Sequence, residues 1–103
     1  MPKHPTSYYL VYEGPGPNWD PSRPRREQAD WEEHAAFMDA LVADGFILLG
    51  GPVDATHAVL LVDAQDEHGV ETRLSKDPWK PMGILRIENI ARWEILLDSR
   101  DRT

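Results

Sequence analysis

The chain has 103 residues, with 18 acidic against 11 basic side chains and a formal charge of −7. That length suits one domain and excludes two, and the acidity excludes nucleic acid as a partner unless basic residues gather; Arg23, Arg25 and Arg26 are followed at once by Glu27 and Asp30. With no cysteine there are no disulfides, thiolate nucleophiles or thiolate metal sites, which fits a reducing cytoplasm.

Residues 7–12, Ser-Tyr-Tyr-Leu-Val-Tyr, are aromatic and β-branched and predict the first strand. The turn-rich stretch from Glu13 to Asn18 is expected to stop it and to open a loop that continues to Pro24. About a dozen residues is long for a loop in a small domain, and loops of that length are often functional. Over residues 25–44 the spacing becomes helical, with Pro24 at the first turn and Gly45 as the stop. On that helix Trp31, Ala35, Met38, Leu41 and Val42 share one stripe, and His34 falls inside it.

Two short apolar runs follow, 46–49 and 58–62, separated by Gly50-Gly51-Pro52 and Asp54-Ala55-Thr56; they predict an antiparallel hairpin. Asp63 is the expected cap of a second helix over residues 64–75, with Val70 and Leu74 on one face and Asp77-Pro78 as its end. In residues 84–97, Leu85, Ile87, Ala91, Trp93, Ile95 and Leu97 alternate with Arg86, Glu88, Arg92 and Glu94. That run exceeds the usual strand, so a bulge is expected near Asn89. The remainder is a polar tail. No apolar run approaches the ~20 residues of a membrane span, and Met1-Pro2-Lys3-His4-Pro5 lacks the apolar stretch of a signal peptide.

The element order is therefore β-α-β-β-α-β, an α+β domain of ferredoxin-like type with an antiparallel sheet and both helices on one face. The other face of the sheet then needs a cover, and a second copy of the chain is the expected one.

Two residues stand out chemically. His34 is polar on an apolar stripe: either a core residue with its ring nitrogens satisfied internally, or a group able to transfer protons near neutral pH. Asp77 closes a helix and begins a turn, which accounts for it locally, but the loop it opens (Asp77-Pro78-Trp79-Lys80-Pro81-Met82-Gly83) lies near the sheet end where His34 is expected. His4, His57 and His68 have simpler placements in a terminus, at a strand start and on an exposed helix. No metal-ligand spacing, phosphate loop or Ser-His-Asp signature is present, so neither a metal nor a cofactor is implied.

Three segments resemble the YciI-like (YCII-related) family: Glu33-His34-Ala35-Ala36-Phe37 continuing to Asp44-Gly45; Ile47-Leu48-Leu49-Gly50-Gly51-Pro52; and Ser75-Lys76-Asp77-Pro78-Trp79 followed by Gly83 and a strand. The resemblance spans about residues 7–97. It implies a dimeric α+β barrel, in which two ferredoxin-like units pack sheet to sheet, and a pocket holding a His–Asp pair that maps onto His34 and Asp77. Tyr9, Gly51, Pro52, Trp79 and Met82 are the expected pocket lining. The implied function is a small-molecule enzyme of lyase, isomerase or hydrolase type; one relative is similar to a dehydrochlorinase of chlorinated hydroxyquinols, and muconolactone isomerases share the barrel shape. The alternatives are a non-catalytic ligand-binding or accessory dimer with the same pocket, and a purely structural dimer in which His34 faces solid core. The long loop from Glu13 to Pro24 departs from the family pattern and is a candidate cover for the pocket mouth.

Overall fold

The structure, a computed structural model, describes residues 7–99. His4 and the end of the polar tail lie outside the described residues. The elements are β1 (Ser7–Pro15), α1 (Trp31–Ala43), β2 (Ile47–Pro52), β3 (Ala58–Ala64), α2 (Glu67–Leu74) and β4 (Leu85–Trp93), with one 3₁₀ turn at Arg25–Glu27. The sheet runs in the order β2-β3-β1-β4 with every neighbouring pair antiparallel. This is the ferredoxin-like arrangement expected from the element order.

One main core forms where the helices cover the sheet. Tyr9 and Val11 of β1 and Leu60 and Val62 of β3 meet Leu41, Phe46, Val70 and Leu74 from the helical layer. A second cluster joins Trp19, Trp79, Ile84 and Leu85 at the end of the sheet where the long loop folds back. Gly16 makes that approach possible. Its N–H donates to the Ile84 carbonyl at 2.8 Å, and a Cβ there would fall 2.2 Å from the Gly83 carbonyl oxygen.

Several boundaries differ from expectation for physical reasons. β1 runs on through Glu13 to Pro15, because residues Glu13 to Pro15 pair with Ile87 to Leu85 of β4 despite their turn-forming composition. The first helix starts at Trp31, not near Arg25. Gln28 is buried, and its amide closes the preceding loop by accepting from Asp20 N–H and donating to the Asp20 and Arg23 carbonyls at 2.8–2.9 Å. Asp30 then turns the chain through a left-handed φ of 56° into α1.

β2 includes Gly50-Gly51-Pro52 instead of ending before them, so the hairpin turn is pushed to residues 53–57. There Asp54 accepts from Thr56 N–H and His57 N–H, bonds that hold its carboxyl down to about 2. Asp63 belongs to β3, and Asp66 caps α2 by accepting from Gly69 N–H at 2.7 Å. β4 ends at Trp93, and its register slips by one residue at Glu88, close to the expected bulge. That slip reverses the alternation: Leu85 and Ile87 face the helices, whereas Ala91 and Trp93 pair with Leu10 and Tyr8 on the uncovered face and Ile90 takes their place in the core. No helix among the described residues is long and apolar enough to cross a membrane.

Candidate functional site

His34 lies in the first turn of α1, its N–H bonded to the Asp30 carbonyl, so the left-handed corner at Asp30 sets where the imidazole points. Asp77 follows α2, anchored by its N–H to the Leu74 carbonyl. The two side chains meet. His34 Nδ1 is 2.9 Å from both carboxylate oxygens of Asp77, and the pair is buried, Asp77 completely. Asp77 Oδ1 also accepts from Trp79 N–H at 2.9 Å, the turn expected of an Asp-Pro-aromatic stretch. Because the carboxylate only accepts, Nδ1 carries the proton and Nε2 of a neutral ring is the bare, basic nitrogen.

Trp79 fixes the plane of that ring. Its indole stacks on the His34 imidazole with centroids 3.8 Å apart and planes within 4°. The indole is itself clamped: Trp19 meets it edge-on at 6.2 Å, Trp31 leans on it at 5.8 Å, and its Nε1–H donates to the Ala29 carbonyl at 2.6 Å. His34 is thus held at Nδ1 and on one face.

His34 also lines a cavity of about 430 Å³, within the range of small-molecule sites, and so does not face solid core. Trp31, Met38, Leu60 and Leu85 supply apolar walls, while Gly51 and Pro52 of β2 form part of the rim. Three of the expected lining residues are placed elsewhere. Tyr9 is in the main core between sheet and helices, Trp79 lies beneath His34, and Met82 packs against the tryptophan cluster. Among the described residues, no group of three or more His, Cys, Asp or Glu side chains is arranged to hold a metal ion.

No family model matches the chain, and no curated protein matches it in sequence. Among solved structures, the 5-chloro-2-hydroxyhydroquinone dehydrochlorinase of Burkholderia phenoliruptrix, in complex with 2,5-dihydroxybenzoquinone, is similar at 21% identity with a TM-score of 0.61, over 84% of this chain and 93% of that one. The fold is shared with a solved enzyme. At that identity the likeness speaks for the architecture, and the roles of His34 and Asp77 rest on their own geometry.

Sequence reasoning missed four charged residues at the site: Asp39, an exposed residue of α1 that lines the cavity, and three that are buried or half-buried. Glu13 is only 1% exposed and lines the cavity; the alternation Tyr9, Val11, Glu13 places it on the helix side of β1, a signal hidden by the Gly14-Pro15 that follows. Lys80 answers it, donating to Glu13 Oε2 at 2.7 Å and to the Leu74 carbonyl at 3.3 Å, and lies 3.8 Å from Asp77 Oδ2. The third, Arg25, comes from the 3₁₀ turn in the long loop. Lys80→Met should strand the buried Glu13 carboxylate and cost about 3–5 kcal/mol, the usual range for breaking a buried pair from one side. Chemical denaturation would measure it, and the double substitution Lys80→Met with Glu13→Leu should recover much of the loss.

Proposed function

We propose that this protein is a small-molecule enzyme of lyase, isomerase or hydrolase type, of YciI-like character, in which His34 is the general acid/base. The observation that carries this reading is a histidine whose Nδ1 is held by a fully buried carboxylate while the same residue lines a cavity. Nε2 would take a proton from a C–H or O–H of the bound substrate; Asp77 would hold the tautomer and stabilise the imidazolium. The proton would then return to another carbon, or to a departing group. The dehydrochlorinase neighbour supports a reaction of the second kind, in which loss of a proton accompanies loss of chloride. A positioned acid/base of this sort contributes typically ~10²–10⁴ in rate.

The test is turnover of a panel of hydroxylated and chlorinated aromatics and small organic acids in D₂O, followed by proton NMR and chloride release. Wild-type protein should act on at least one member, and His34→Ala should lose roughly 10²–10⁴ of that rate while remaining folded. Binding without exchange or turnover would favour the second reading, a ligand-binding or accessory protein using the same pocket. The flat stacking of His34 on Trp79 and the burial of the pair are what that reading has in its favour.

We further propose that the protein works as a homodimer in the cytoplasm, its lack of cysteine supporting a reducing compartment. The sheet face opposite the helices carries Tyr8, Leu10, Tyr12, Leu49, Leu61 and Trp93, several of them well exposed, around a hollow of about 460 Å³. A second copy packed sheet to sheet would cover it. Sedimentation equilibrium should give twice the chain mass for wild type, and Trp93→Glu should shift it towards the monomer; a wild-type monomer at micromolar concentration would contradict the dimer.

A further inference from the structure

The buried acidic groups at the cavity are paired, and Asp39, which also lines it, is exposed to water. Asp77 is taken by His34 and Trp79 N–H, and Glu13 by Lys80. Arg25 lines the same cavity, and its Nη2 is buried with no hydrogen-bond acceptor among the described residues. The guanidinium is not loosely placed. Its Cζ sits 5.3 Å from the centre of the Trp19 ring, and Trp19 is buried against Trp79. Its backbone belongs to a turn closed by the buried Gln28. Burial also pulls the guanidinium below its usual pKa, with Glu13 and Asp54 opposing that shift, as expected for a cation taken partly out of water.

Arg25 is half-buried, but a buried N–H group without an acceptor is costly, and a structure that orders one at the wall of a cavity leaves room for an acceptor to arrive with the ligand. The planar fork of arginine matches a carboxylate better than any neutral group. Apart from His34, the Glu13 carboxylate held by Lys80 and the exposed Asp39, the cavity wall is mainly apolar: Trp31, Met38, Leu60 and Leu85 offer contact to a hydrocarbon or aromatic body. We infer that the pocket selects small organic anions, with a carboxylate head on Arg25 and an apolar body beside His34. The long loop is then the element that brings the anion-binding residue to the site. This inference rests on the reading of the cavity as the working site, and narrows it to a class of ligand.

The test uses benzoate and its neutral isostere benzamide, titrated into the full chain and followed by ¹H–¹⁵N NMR. Benzoate should bind at least about tenfold tighter than benzamide, a difference of ~1.4 kcal/mol, and should shift the Trp31 indole and Arg25 side-chain signals. Arg25→Gln should abolish that preference, and Arg25→Lys, which keeps the charge without the fork, should retain part of it. The wild-type comparison of the two probes does not depend on any variant folding. Equal affinity for the two probes, no binding of either, or an undiminished preference in Arg25→Gln would overturn the inference. His34→Ala separates it from the catalytic reading, since that variant should lose turnover yet still prefer benzoate. If it keeps both, the acid/base assignment falls and the anion site stands.

Discussion

Asp77→Asn should cut turnover by roughly 10³–10⁴ while leaving the domain folded, because it reverses the tautomer of His34. In the native pair the carboxylate accepts from Nδ1–H, which leaves Nε2 basic. An asparagine can still accept from Trp79 N–H through its oxygen, but its amide then offers donors to Nδ1. The ring answers by moving its proton to Nε2, and the base is lost without loss of shape. Asp77→Ala separates the two functions of the residue. It removes the acceptor for both His34 Nδ1 and Trp79 N–H, and at ~1.5–3 kcal/mol for each bond to a charged group it should destabilise the fold by about 3 kcal/mol or more. A denaturation series and an activity assay on the same two variants check this. Equal loss of stability in both would mean that the amide does not preserve the turn, and full activity in Asp77→Asn would remove Asp77 from the mechanism.

Trp79→Ala should be as destabilising as breaking the Lys80–Glu13 pair, and for a different reason. The indole has no exposed surface and is the common neighbour of His34, Trp19 and Trp31. Truncating a buried tryptophan costs about 3–5 kcal/mol, most of it from the cavity left behind. Since each kcal/mol moves the melting temperature by roughly 4–8 °C in a domain of this size, melting should fall by at least ~12 °C. The damage should also be local in a way that cooperative melting does not reveal. Without the indole, His34 loses the plate that orients it and the Ala29 carbonyl loses its donor, so the loop carrying Arg25 should loosen first. Trp79→Phe should keep the stack and lose only the Nε1–Ala29 bond, at a cost of about 1 kcal/mol plus some packing. Hydrogen exchange across residues 16–30 would distinguish the two variants.

The fold was largely legible because its signals are local. Alternation in residues 7–12, the two apolar runs flanking a glycine turn, and the Asp-Pro stop each depend on near neighbours, and the βαββαβ order follows from them. Boundaries went astray where tertiary contacts override composition. Glu13, Gly14 and Pro15 look like a turn but pair with β4, and residues 25–30 look helical but are held open by one buried glutamine. The slip at Glu88 could be expected from strand length, yet its consequence for Ala91 and Trp93 could not, since alternation continues unbroken in the sequence while the faces exchange. At the site, His34 betrayed itself as a polar residue on an apolar stripe, and Asp77 through its place in the chain and the family resemblance. Arg25 and Lys80 gave no such signal. Each is one basic residue among several in a loop, and only the folded chain distinguishes the arginine that reaches a cavity from the neighbours that do not.

If the proposed function is right, His34 moves protons on a bound substrate. The most direct measurement is deuterium exchange into, or turnover of, the substrate panel in D₂O by wild type and His34→Ala, with circular dichroism showing that both are folded. Wild type should exchange or convert at least one compound, and His34→Ala should be slower by roughly 10²–10⁴. Equal rates in the two proteins, or no exchange by wild type with any compound that binds, would contradict it.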